Sequence, residues 1–312
     1  MALDHYVSQV HLKNFYSHHL DGRKMFAFRK SKLDSFPCDS RDVCRIEEGS
    51  TNPYLGEPRL LEAFLSTFEP KYNRSCEAIS VGSFGHDDVA VIAAFMAFVG
   101  GCAPTATRLG ASNLSEITKL ELDRPEKLDK LPPIPQELEA TSVLELINDG
   151  KLTFDIDRKY PHALGVANLI ESTIAFSSYP WEILRNGHST QCPFLTSDFP
   201  IAIEGPQPPL TRLVPLRPDL AIKVSPVVRS PTLKDNPRDF RFRLVDVTPA
   251  QVRIFNRQVV RCAEDFVFSP ISSHGIARLV KKYASHRLGL VSRKTHKERG
   301  AMICRSIDIV SD

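Results

Sequence analysis

The amino-acid sequence predicts an α+β protein in which a helical N-terminal and middle part packs on a mostly antiparallel C-terminal sheet. Three observations carry this expectation. Apolar residues recur at three- and four-residue intervals in several segments before residue 178. Beyond Pro180 the chain turns to short apolar runs separated by proline-rich turns, the pattern of strands. A last helical stretch begins at Thr248 and Pro249, a good capping residue followed by a proline where its missing N–H costs nothing.

Length and composition bound the rest. A chain of 312 residues favours two lobes sharing an interface, and 42% apolar with 25% charged residues is the balance of a globular protein, which excludes a disordered or fibrous chain. The expected organisation is an N-terminal segment of short strands and helices (1–122), a proline-rich charged linker or long loop (123–139), helices with the antiparallel sheet and a closing helix (140–275), and a basic C-terminal segment (276–312).

Taken in order, residues 4–15 open with His5 and Tyr6 ahead of a helix from Val7, with Leu12 and Phe15 on its buried stripe and Gln9 off it. Asp21-Gly22 is a turn signal before a strand at 25–29. Residues 35–53, with Pro37, Gly49 and Pro53, read as an irregular connector holding one extended piece around 43–46. From Pro58, Leu61, Phe64, Leu65 and Phe68 fall at helical spacing. The next helix takes Asp87 as its cap, sets Asp88 at the positive end of its dipole and ends at Gly100-Gly101. Its apolar run 89–101 is too short to span a bilayer, and a buried helix is expected.

Residues 141–149 form a short helix ended by Gly150, and 161–177 a longer one with Leu164, Ala167, Asn168, Glu171 and Ile174 at helical intervals. Glu171 is either on an inward face, where it needs a partner, or exposed. The runs 181–185 and 194–198 suggest an antiparallel pair, and 201–204, 212–216, 220–225 and 240–247 add strands. In the closing helix Asn256 shares the stripe of Val252 and Val259 and points inward.

Several chemistries find no support. No phosphate-loop, dinucleotide-binding, nucleophile-elbow or zincin motif occurs, so no cofactor is expected. His11, His18 and His19 lack metal-ligand spacing, and no metal is expected. Seven scattered cysteines without a C-x-x-C pair fit reduced thiols and a cytoplasmic protein, and the N-terminus has no secretory pattern. Residues 278–299 hold eight Lys or Arg and one Glu, so the rest of a chain of net charge +3 is acidic. Arg278, Lys281, Lys282, Arg287, Arg293 and Lys294 are the candidate contacts for nucleic acid or another acidic partner, and the alternative is a solvated charged face.

Three islands carry a resemblance. Asp4, His5, Tyr6, Val7, Gln9, Leu12, Asn14 and Phe15 form the first, Thr196-Ser197-Asp198-Phe199-Pro200 the second, and the stretch from Phe255-Asn256 through Ala263 to Phe266-Val267-Phe268-Ser269 the third. Together they resemble a bacterial family known as domain of unknown function 4238, strongest in the first island, with the basic tail outside. The resemblance implies no known activity. Related chains commonly carry Gln and Arg where this sequence has Val99 and Cys102.

The site expected from these residues is a polar pocket where the N-terminal segment meets the C-terminal sheet. In an enzyme, a hydrolase or transferase acting on a nucleotide or nucleic acid, His5 is the general base and Asp198 orients it. Gln9, Ser197 and Asn256 hold a small polar or phosphate-bearing ligand. The competing class is a non-catalytic interaction protein in which the same side chains satisfy buried backbone groups and the basic C-terminal segment, read as a helix, does the binding.

Overall fold

In the computed structural model, residues 3–122, 143–153, 155–205, 210–226, 240–297 and 300–311 are described. The expected linker at 123–139 lies outside them. The chain begins with strand β1 (Leu3–His5), helix α1 (Gln9–Lys13), strands β2 (Met25–Arg29), β3 (Asp34–Cys38) and β4 (Arg45–Glu47), and helices α2 (Leu60–Phe68), α3 (Tyr72–Ser80), α4 (His86–Cys102) and α5 (Pro104–Leu122). Helices α6 (Val143–Asn148), α7 (Lys159–Ala167) and α8 (Leu169–Ser178) follow, then β5 (Trp181–Arg185), β6 (Thr196–Ser197), β7 (Ala202–Glu204), β8 (Thr211–Arg217), β9 (Leu220–Val224) and β10 (Phe242–Asp246). Helix α9 (Pro249–Cys262), β11 (Phe266–Ser269), α10 (His274–Lys282) and a long hairpin of β12 (His286–Lys297) and β13 (Gly300–Ser311) complete the fold. Helices and mostly antiparallel strands make this an α+β protein.

The larger sheet has the order β10-β5-β9-β8-β7 and is antiparallel except where β10 pairs with β5; a second, β3-β2-β11-β6, is antiparallel throughout, and β1 with β4 and β12 with β13 form two-stranded sheets. Helix α4 is apolar on every face, with Val91, Ile92, Phe95, Met96 and Phe98 all buried, so it must be surrounded. Helices α3, α5, α7 and α8 pack around it. A second, smaller cluster joins Val7, Leu12 and Phe15 to Met25, Ala27 and Phe268. Among the described residues no single helix is long and apolar enough to cross a membrane; α4 and α5 pass that test only as a pair bent by 51°.

Some expectations change. The first helix starts at Gln9 rather than Val7, and β1 ahead of it pairs with β4. Residues 35–38, expected to open an irregular connector, belong to β3, which tolerates Pro37 because it is an edge strand. Gly85, not Asp87, is the cap of α4, and Asp88 reaches back to accept the Gly85 N–H at 3.0 Å. The runs 181–185 and 194–198 do not pair: β5 lies between β9 and β10, while β6 pairs with β11 in the other sheet. Helices α3 and α5 were not foreseen.

The helix expected over 161–177 is two helices broken at Asn168, and its inward face is the opposite one. Pro161, His162, Ala163, Val166 and Leu169 are buried, whereas Leu164, Ala167, Asn168, Glu171 and Ile174 face out. The reason is backbone proximity to α4. Gly165 lies so close to Gly101 that a Cβ there would collide with the Gly101 carbonyl oxygen, and that contact selects the small-residue face.

Candidate functional site: the N-terminal segment, strand β6 and the α9–α10 groove

The opening segment is pinned by its own polar groups. Pairing of β1 with β4 brings His5 beside the short turn at Ser40, whose carbonyl lies 3.1 Å from His5 Nε2. A carbonyl can only accept, so Nε2 carries the proton and Nδ1 accepts from Gln9 Nε2 at 3.4 Å. Burial lowers the His5 pKa, consistent with this neutral tautomer. Asp4 Oδ2 accepts the Ser50 N–H at 2.9 Å.

The contact between the N-terminal segment and the distant half of the chain is made by His11. Its ring is fully buried, with Nδ1 2.8 Å from the Tyr72 hydroxyl and Nε2 2.8 Å from Thr196 Oγ1, and it stacks on Phe95 with centroids 4.7 Å apart. Burial pulls its pKa down to about 3, so it is neutral at any ordinary pH. Asn14 adds a bond to the Leu216 carbonyl at 3.4 Å.

Around β6 the remaining predicted residues are buried and engaged with backbone. Asp198 accepts the N–H groups of Glu264 (2.9 Å), Asp265 (2.7 Å) and Phe266 (2.8 Å), fastening the end of β6 to the link between α9 and β11. Burial raises its carboxyl to about 6, against the opposing pull of those three donors. Ser197 Oγ accepts the Phe199 N–H at 3.2 Å. Asn256 accepts the Leu195 N–H at 2.9 Å and donates to the Pro193 carbonyl at 2.8 Å, so the inward position expected for it is observed.

The dyad of His5 and Asp198 therefore does not form in this structure. The imidazole turns to Ser40 and Gln9, and the carboxylate to residues 264–266. The neighbour of Asp198 from the opening segment is Tyr6, whose phenol pKa is raised by burial first and then by Cys44 and Asp198. Lys30 is a further buried group that the sequence did not single out. Its ammonium donates to the carbonyls of Val260 (3.2 Å), Ala263 (2.7 Å) and His286, closing the negative end of α9. In sequence it looks like any charge following a strand.

Asn256 also floors an open groove of about 370 Å³ between the loop before β6, α9 and α10. Arg253 and Arg257, one turn apart on the outer side of α9, line it, and across it lie Ser273, which caps α10, and Gly275. Both arginines are exposed, and neither has a hydrogen-bond or ion-pair partner among the described residues. Cys192, at the same groove, is 3.8 Å from the Pro249 carbonyl. The basic segment is not one helix: Arg278, Lys281 and Lys282 are exposed on α10, and Arg287, Arg293 and Lys294 belong to β12. The side chains of Arg293 and Lys294 lie outside the described residues, and Arg287 approaches Glu264 at 4.0 Å.

These features define an α+β protein with a polar seam between its two halves, buried at His11, Asp198 and Asn256 and half-buried at His5 and Gln9, and a basic groove beside it. The chain belongs to the family described as Protein of unknown function (DUF4238), whose sequence model matches residues 4–273. No curated protein and no solved structure matches it. The family match ends just before α10, so the basic hairpin and helix lie beyond it.

Proposed function

We propose that this protein binds a phosphate-bearing ligand, a nucleotide or a nucleic-acid backbone, in the groove between α9 and α10. The observation that carries the reading is the pair Arg253 and Arg257: two exposed guanidiniums one helical turn apart, with no carboxylate partner among the described residues. Guanidinium forks match phosphate oxygens bidentately, and the first turn of α10 adds free N–H groups on the facing wall. Asn256 holds the loop before β6 in place and so keeps the groove's shape. The hydrolase or transferase form of this reading rests on His5 and Asp198, and the partners of those two side chains favour the binding form.

Calorimetric titration with pyrophosphate and with a short oligoribonucleotide tests it. The wild-type chain binds both, and the Arg253→Ala/Arg257→Ala variant loses at least about a hundredfold in affinity, as expected for two charged hydrogen bonds of about 1.5–3 kcal/mol each. Equal affinity in the variant, or no binding by the wild type, overturns the reading. A second reading places nucleic acid along Arg278, Lys281 and Lys282, favoured by their exposure on one helix. On that reading, replacing these three with Ala weakens the oligonucleotide and its salt dependence while pyrophosphate binding stays unchanged.

A further inference from the structure

Away from the residues of the α9–α10 groove, two hollows are both lined by Arg212 of β8. One, of about 330 Å³, opens among α4, α5, α7, α8 and β7, where Ala97, Gly100 and Gly101 present almost no side chain. The other, of about 430 Å³, lies between α8, β9 and β13 and is lined by Tyr179, Leu210 and Arg305. Both are walled by Ser172, Phe176, Arg212 and Ile307, so they adjoin as two limbs of one chamber-like region around these side chains.

Arg212 is short of partners there. Its one hydrogen bond goes to the Leu210 carbonyl at 3.3 Å, and no ion pair reaches it among the described residues. Burial holds its guanidinium below the ordinary value. Arg305 donates from Nη1 to Asn113 Oδ1 at 3.0 Å, but its Nε is buried without a partner among the described residues. Among the described residues neither lining contains an Asp or Glu. A desolvated cation lacking a counter-charge is unfavourable, and natural proteins keep one mainly where something else supplies the charge.

We infer that this chamber is a binding site for an amphipathic monocarboxylate, with its head between Arg212 and Arg305 and its hydrocarbon tail in the limb beneath α4. The head group follows from charge complementarity: a planar carboxylate satisfies the free N–H groups of both guanidiniums. The tail follows from the other limb, whose walls are Leu109, Leu164, Phe199, Ile201, Ile203 and Leu288, an apolar surface that a polar ligand would leave unmatched. The site is separate from the α9–α10 groove and does not depend on it.

Trp181 provides the readout. It is the chain's one tryptophan, and its indole N–H donates at 2.9 Å to the carbonyl of Phe176, whose ring walls both hollows. Titrating the purified full-length protein with decanoate should give a saturable change in Trp181 emission. Acetate, which has the head without the tail, and methyl decanoate, which has the tail without the charge, should each bind at least tenfold more weakly.

The Arg212→Gln variant should lose at least tenfold in decanoate affinity, with a Tm equal to or above that of the wild-type protein. If that variant does not fold, Arg305→Gln is read in the same way. Equal binding of acetate or of methyl decanoate overturns the proposal, as does the absence of decanoate binding. Tighter binding of decyl phosphate than of decanoate overturns the carboxylate assignment.

Discussion

The seam around β6 and the chamber around Arg212 are both built from polar groups inside a mostly apolar fold, and they differ in one respect. At the seam, Asp198, Asn256, His11 and His5 each have their polar atoms matched by specific donors and acceptors. At the chamber, two guanidiniums lack a counter-charge among the described residues. Matched buried polar groups hold structure together, whereas unmatched ones are available to a ligand. The residues that look most chemical in the sequence thus act as fasteners, and the residues open to chemistry looked ordinary.

The largest expected effect separates the two regions directly. Asp198→Ala strips three backbone N–H groups of their acceptor and should cost about 3–5 kcal/mol in urea unfolding. The contrast breaks if that loss is under about 1 kcal/mol. A smaller effect comes from the helix contact that shapes the chamber. Gly165→Ala pushes a Cβ into the Gly101 carbonyl and should destabilise by about 1–3 kcal/mol, with an altered response of Trp181 to decanoate. An unchanged urea midpoint would show that α4 and α7 do not need so close an approach.

The smallest effect per step is the pH dependence of stability. The folded values of His11 and His162 are lowered by burial from 6.5 to about 3 and about 4, so between those values the unfolded chain binds more protons and stability falls as pH falls. Asp198, raised from 3.8 to about 6, works in the opposite direction over its own window. Between about pH 4 and 6 these three groups together leave one extra proton on the unfolded state, about 1.4 kcal/mol lost per pH unit on acidification, and the lowered pKa values of His5 and His286 add to the loss. Urea titrations across that range check the slope, and His11→Phe should reduce it by about 1.4 kcal/mol per pH unit. Stability that rises on acidification would contradict the sealed, neutral state of His11.

Much of the fold was legible because it rests on local rules. Thr248 caps α9 with Pro249 behind it, Asp21 and Gly22 turn with positive φ, and the apolar run within α4 is buried. Asn256 points inward as its spacing with Val252 and Val259 required. The errors came where a neighbour decided. Spacing within 161–177 offered two possible faces, and only the Gly101–Gly165 approach chose between them. The strand at 194–198 was visible, but its partner β11 is some seventy residues away, and nothing in a short apolar run names its mate.

The site was legible to the same extent. That the beginning of the chain folds against its second half was expected, but the linking imidazole is His11, which appeared only as one of several scattered histidines. Asp198 and Asn256 stood out as polar residues with two readings open, a site or the satisfaction of buried backbone groups, and their partners are backbone groups, whose identity no side-chain pattern announces. Composition, periodicity and capping residues were sufficient for the α+β class, the caps and the buried stripes, because those follow from interactions within a few residues. Which polar groups find partners and which stay open depends on segments far apart in the chain, and only their packing could leave Arg253 and Arg257 unpaired and Arg212 without a counter-charge among the described residues while closing the seam around Asp198.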